Sequence, residues 1–330
     1  MPKIVRFHQT GGPEVLKIED LPSQEPGKGE VRIKVQAIGL NRAESMFFHG
    51  QYLEEPQLPA RLGYEAAGVV EAVGQGVDKS WLGKHVATVP AFSMNNYGVL
   101  GEEAISPVAA LGEYPAKLSP TEGAAIWMQY LTAYGALIEF GKLKKGDFVL
   151  ITAASSSVGI AAIEIARAEG AIVIATTRTG SKRKEILNIG ANHVIATQEE
   201  NLAERVKEIT GGKGVRIIFD PIAGPLLEAL AEAAAPHGII FEYGALSGQP
   251  TPFPLFAALS KWLTIRGYTL MEITSAPEKL AAAKKYAYDR LQDGRFRPRV
   301  AKIFSFSQTV DAYKYLESNA QVGKIVITVP

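Results

Sequence analysis

The chain has no cysteine. That removes disulfides, a thiolate nucleophile and every zinc site that depends on sulfur. Histidine is nearly as scarce: His8, His49, His85, His193 and His237 lie scattered without ligand spacing, and each reads as a surface or packed side chain. Charge of either sign is not in excess. A formal net charge of +1 provides no broad basic field for nucleic acid or an acidic membrane surface. No apolar run is long enough to span a bilayer, and the amino end MPKIVRFHQTGGPEVLKIED carries neither a signal core nor an Arg/Ser-rich presequence. The expectation is a soluble, cytoplasmic protein with no nucleic-acid partner, no membrane partner and no metal.

What is present is ordinary globular composition, 47% apolar and 21% charged, in 330 residues. That length exceeds what one hydrophobic core usually supports, so two domains are expected. The chain is organised around DFVLITAASSSVGIAAIEIARAEGAIVIATTRTGSKR, residues 147–183. An apolar run from Phe148 to Ile151 breaks at small residues, a helix follows from Val158 to Glu169, and a second apolar run spans Ile172 to Ala175. Strand, tight turn, helix, strand is the unit that places a diphosphate at a helix amino terminus, where N–H groups lack intrahelical partners. Of the usual three glycines only Gly159 remains, with Ser155, Ser156 and Ser157 filling the rest. The alternative reading is a tight turn that binds nothing.

The second strand end selects the nucleotide. An NAD site places an Asp or Glu there for the ribose 2′-hydroxyl, whereas this chain has Thr177, Arg178, Thr179, Gly180, Ser181, Lys182 and Arg183. A 2′-phosphate beside a carboxylate would cost about 4 kcal/mol at 4 Å with an effective dielectric near 20, and a cation gains a similar amount before desolvation. NADPH is therefore the expected cofactor, with Arg178 and Lys182 on the phosphate. The bland alternative is a solvated helix start.

Residues 1–120 read as short strands and turns, with Glu30–Ile38 alternating apolar and polar, Asn41 and Tyr52 in a following short helix and loop, and Tyr64 at the start of another strand. A helix is expected over Thr121–Gly141, then alternating strands and helices ending at the strand Trp262–Gly267. Six such strands make a doubly wound parallel Rossmann sheet in an α/β protein. The expected domains are 1–120, 121–268 for the nucleotide, and 269–330 returning to the first. The last sheet strand, within Leu263–Leu270, would be an apolar edge in a monomer, which suggests a homodimer. The nicotinamide is expected at Tyr243, Gly244, Ala245 and Leu246, where small residues end the fifth strand. Asn41, Tyr52 and Tyr64 are the catalytic candidates: Tyr52 as proton donor, Asn41 as amide donor to an oxygen gaining charge, Tyr64 as a wall. Each could equally be an ordinary packed side chain.

With PGKGEVRIKVQAIGLNRAES, LGYEAAGVVEAVGQGV, AASSSVG, LNIGANHVIAT, GGKGVRIIFD, YGALSG and SNAQVGKIVITV in place, the chain resembles the medium-chain dehydrogenase/reductase superfamily. The likeness covers nearly the whole chain and is to the zinc-independent quinone oxidoreductase and enoyl reductase branch. It implies a GroES-like catalytic domain beside the Rossmann domain. Asn41 and Tyr64 stand where zinc-dependent relatives carry cysteine and histidine ligands, and the four-cysteine lobe is missing. The resemblance further implies Ser156, Ser157, Val158 and Gly159 on the diphosphate, and Thr177, Arg178, Lys182 and Thr197 around the 2′-phosphate and its ribose. Thr132 and Gly244–Leu246 would border the nicotinamide, and Asn319 would reach the cofactor. The implied reaction is NADPH-dependent hydride transfer to a small electron-poor substrate, a quinone or an α,β-unsaturated carbonyl. Reduction of an enoyl thioester is an alternative, since polyketide-type enoyl reductases carry a tyrosine where Tyr52 stands. A non-catalytic NADPH-binding sensor or structural protein is the alternative from another class.

Overall fold

The six apolar runs of the second half pair in parallel into one sheet: β1 Phe148–Ile151, β2 Ile172–Thr177, β3 His193–Ala196, β4 Val215–Asp220, β5 Ala234–Glu242 and β6 Thr264–Gly267. Their order is β3-β2-β1-β4-β5-β6, so the direction of winding reverses between β1 and β4. Parallel strands require crossovers, supplied by α1 Ser157–Ala168, α2 Arg183–Ile189, α3 Leu202–Thr210, α4 Leu226–Ala233 and α5 Leu255–Lys261. Cover on both faces explains why the central strands are continuously apolar. Val149, Leu150 and Ile151 are all fully buried. On one face Leu150, Ile174, Ile195, Ile218 and Ile240 pack with Leu202 and Val206 of α3 and Leu227 and Leu230 of α4.

This computed structural model describes residues 1–330 and divides them into two units, 129–283 and 1–128 with 284–330. Both boundaries fall later in the chain than 120/121 and 268/269, the second inside the helix Pro277–Gln292. In the first unit the strand Glu30–Gly39 pairs antiparallel with Glu65–Val73, Glu103–Pro107 and the closing strand Lys324–Thr328. The carboxyl-terminal strand thus completes the sheet that the amino-terminal half begins. Val31, Ile33, Val35 and Ile38 from this sheet meet Phe47, Phe48, Tyr313 and Leu316 in the unit's core.

The expected helix over Thr121–Gly141 is broken into Pro120–Gly123, Trp127–Tyr134 and a π-helical turn, Gly135–Phe140. Tertiary contact overrides propensity here. Ala124, Ala125 and Ile126 are buried, and the Ala124 carbonyl comes so close to Gly39 that a Cβ there would sit 1.9 Å from it. No helix is long and apolar enough to cross a membrane.

Candidate active site

The serine bend is built as a helix cap. Ser156 has extended backbone angles, and its hydroxyl accepts the Gly159 N–H at 3.0 Å, so Ser156 is the amino cap of α1. The first ladder bond in this turn runs from Ile160 N to Ser156 O at 2.9 Å, which leaves the amides of Ser157 and Val158 ahead of the ladder. Those are the donors a diphosphate needs. Gly159 is required by close packing: a Cβ would lie 2.7 Å from Ala154 Cα and 2.8 Å from the Ala153 carbonyl. The surviving glycine is therefore the one that seats the helix against its strand.

The tip of β2 lies against this bend. Lys182 Nζ donates to Ser155 Oγ at 3.2 Å, joining the basic segment to the serine segment. Burial first, then the nearby Arg178 charge, hold the Lys182 ammonium below its usual range. The Glu185 carboxylate, close enough to act on Lys182, offsets part of this. Two cations brought together suit a doubly charged phosphate. Arg178 is exposed, and Thr197 is tied to the strand tip by its N–H donating to Thr177 O at 2.9 Å. A further acid enters this rim: Glu199 accepts the Gly180 N–H at 2.8 Å. It was not among the sequence candidates, because nothing in its local pattern marks it.

At the carboxyl end of β5, Tyr243 stacks on Phe219 with ring centroids 4.0 Å apart, and its N–H donates to Asp220 O at 2.9 Å. Leu246 N donates to Pro221 O and Ser247 N to Ile222 O, each at 2.9 Å. A Cβ on Gly244 would come within 2.8 Å of Pro221 O, so this turn lies directly on the one that follows β4. Ala245 and Leu246 remain exposed. Thr132 is buried in the helix Trp127–Tyr134 of the same unit.

Asn41, Tyr52 and Tyr64 come from the other unit. Tyr52 and Tyr64 meet edge to face, centroids 6.4 Å apart, within an aromatic chain that continues through Phe92 to Tyr97. Tyr64 is buried, its hydroxyl has no hydrogen-bond partner, and burial, followed by Tyr52, pushes its pKa up. Tyr52 is half-buried, and burial likewise keeps its phenol protonated above the usual range. Asn41 has a different assignment from the one its type suggests. Its amide donates to Gly39 O at 3.2 Å, Glu44 Oε1 at 3.1 Å and Glu65 Oε2 at 3.3 Å, and its oxygen accepts from Lys324 Nζ at 2.6 Å. Every hydrogen the amide could offer a substrate oxygen is already given to protein. Glu44 also accepts from Tyr64 N at 3.0 Å and from the Tyr313 hydroxyl at 2.9 Å, and burial pushes its carboxyl up. Glu44, Glu65 and Lys324 were not among the site candidates, although the spacing Asn41-x-x-Glu44 at a helix start is itself a capping signal. Asn319 adopts a left-handed backbone, φ 56°, and accepts from Arg42 Nη2 at 2.6 Å.

A doubly wound sheet with a capped, anion-receptive bend at its switch point, joined to a β-rich unit, defines a nucleotide-dependent oxidoreductase fold. Residues 27–133 match the family described as alcohol dehydrogenase GroES-like domain, and residues 157–285 the family described as zinc-binding dehydrogenase. A 2-haloacrylate reductase from Burkholderia sp is 31% identical, with 97% of each chain covered. A quinone oxidoreductase from Pseudomonas aeruginosa is 32% identical over 99% of each chain. The crystal structure of the Escherichia coli quinone oxidoreductase complexed with NADPH superposes with a TM-score of 0.91 at 30% identity, covering 99% of each chain. The chain belongs to the medium-chain dehydrogenase/reductase superfamily, in its quinone oxidoreductase branch.

Proposed function

We infer that this chain is an NADPH-dependent reductase of small electron-poor substrates, quinones or α,β-unsaturated carbonyl compounds. The observation that carries the reading is the contact of Lys182 Nζ with Ser155 Oγ, which sets a cation on the bend capped by Ser156. Bound NADPH supplies the hydride. The amides of Ser157 and Val158 would hold its diphosphate, Arg178 and Lys182 its 2′-phosphate, with Thr177 and Thr197 at the ribose. The turn Tyr243–Leu246 and Thr132 would border the ring, and Asn319 would contact the cofactor. Tyr52, kept protonated by burial, is the group suited to deliver a proton to the oxygen that gains charge once the substrate accepts a hydride. Tyr64 forms the aromatic wall behind it, and Asn41 anchors the segment through Glu44, Glu65 and Lys324.

The deciding experiment is a stopped-flow comparison of NADPH and NADH oxidation with quinones, enones and enoyl thioesters. Rapid NADPH turnover with a quinone or enone supports the reading. Tight NADPH binding without turnover on any of them would replace it with a non-catalytic binding role, and turnover confined to the thioesters would move it to enoyl reduction.

A homodimer through the edge strand β6 belongs to the same proposal. Phe253, Leu255, Phe256, Leu259 and Trp262, in and beside α5, are 51% to 83% exposed and lead directly into β6. An apolar segment running into an unpaired edge is the surface a second copy covers. Light scattering should give twice the chain mass of 35.5 kDa, and Phe256→Asp with Leu259→Asp should return it to that of one chain.

A further inference from the structure

Two carboxyl groups stand side by side beneath the turn that carries Tyr243 and Gly244. Asp220 ends β4, Glu242 ends β5, and the two are register partners on adjacent parallel strands. Side-chain alternation puts both on the face of Ile218 and Ile240, above an apolar row. Asp220 is fully buried; one oxygen accepts from the Thr152 hydroxyl and the other from Ala223 N at 2.6 Å. Glu242 differs: both its oxygens are buried and neither meets an N–H or O–H donor. The charged group acting on it is Asp220, its register partner on the next strand. Two neighbouring carboxyls can bond to one another only with a proton between them, and each Asp220 oxygen keeps a second lone pair to receive it.

The surroundings supply no cation to replace that proton. From β6, Gly267 lies opposite Glu242, while Arg266 lies opposite Phe241, pairs with Glu272 and rests over the Phe140 and Phe241 rings. Lys261 of α5 is held by the carbonyls of Ala231 and Ala234. The buried hydroxyls of Tyr243 and Tyr268 are both held protonated, chiefly by burial. Burial, and after it the charge of Asp220, push Glu242 up to about 9.

We propose that one proton shared between Glu242 and Asp220 clamps the end of β5 to the end of β4 and so holds the Tyr243–Leu246 turn in its cofactor-accepting shape. Glu242 is then a positioning residue, one that acts through the turn. The inference rests on the reading that this turn borders the nicotinamide.

The test has two arms. In the first, the melting temperature of the cofactor-free protein is followed from pH 5 to 10. The folded chain keeps a proton that the unfolded chain has released near its ordinary value of about 4.3, so stability falls as pH rises towards 9. Glu242→Gln keeps an N–H donor for Asp220 without titrating and should flatten that slope, while Asp220→Asn should shift it to lower pH. In the second arm, NADPH affinity is measured by fluorescence. If only the protonated clamp binds, the wild-type dissociation constant should rise roughly tenfold by pH 10, one unit above the midpoint, and Glu242→Gln should lose most of that rise. Lys182 is present in both proteins, so the difference between them isolates Glu242. A wild-type slope retained in Glu242→Gln would overturn the shared proton. A slope lost in the first arm with equal NADPH profiles in the second would overturn the positioning role. Failure of every protein to bind NADPH would sink the reading of the turn and leave the first arm to decide the clamp.

Discussion

Lys324 Nζ lies 2.6 Å from Asn41 Oδ1 and also reaches the Glu65 carboxylate, with none of the three residues more than 7% exposed. The pair joins the closing strand to the start of the helix Arg42–Phe48 across the first unit's sheet. Removing the ammonium leaves Glu65 buried without a counter-charge. Lys324→Met should therefore lose about 3–5 kcal/mol in urea unfolding, the range for breaking a buried ion pair. Asn41→Ala strips hydrogen bonds from Glu44 and Glu65 and should lower stability by about 1–3 kcal/mol. A loss of turnover in Asn41→Ala with unchanged stability would return the amide to the role its residue type suggests.

The basic rim has a sharper readout, because only one of the two coenzymes carries the phosphate. Lys182→Ala should weaken NADPH by roughly 10- to 100-fold, the worth of one charged hydrogen bond of about 1.5–3 kcal/mol, and change NADH little. Arg178→Ala should act in the same direction. An unchanged NADPH:NADH ratio in both variants would remove these residues from the phosphate.

Gly159 and Ser156 separate packing from capping. Gly159→Ala puts a methyl group 2.7 Å from Ala154 Cα, so α1 must shift from its strand. Calorimetry should find NADPH binding lost before the fold is. Ser156→Ala leaves the helix seated and removes its cap, with an expected cost of about 1 kcal/mol in thermal unfolding. If Gly159→Ala bound NADPH normally, the close approach would have no bearing on the cofactor.

Tyr52→Phe removes a hydroxyl and little else, since the ring keeps its edge contacts with Phe47 and Tyr64. Single-turnover reduction of an enone should slow by about 10²-fold or more at neutral pH, the usual share of a general acid. Because burial raises the Tyr52 pKa, the wild-type rate should show no loss of this donor below about pH 10, the ordinary tyrosine value. Equal rates for the two proteins would assign the proton to solvent.

Much of this architecture was readable before any coordinates. The alternation of short apolar runs and helices, with Pro and Gly between them, gave the six parallel strands in number and nearly in extent, because strands buried on both faces have nowhere to place polar residues. The serine bend and its surviving glycine were legible for a similar reason: a strand-to-helix turn tolerates few residue types. The broken helix at Pro120–Phe140 was not, since its first break lies against Gly39 and its π-helical turn against Tyr268, both far away in the chain.

Composition and local pattern by themselves determined that the chain has no cysteine to ligate a metal, carries a doubly wound sheet and presents cations where an acid would select NAD. These follow from what a residue can do within a few positions of itself. Only the tertiary structure decided that Asn41 is bound to Lys324, that Lys182 meets Ser155, and that Glu242 faces Asp220. Asn41 and Lys324 are 283 positions apart and Glu242 and Asp220 come from separate strands, so these polar groups act on one another only once the sheets have closed.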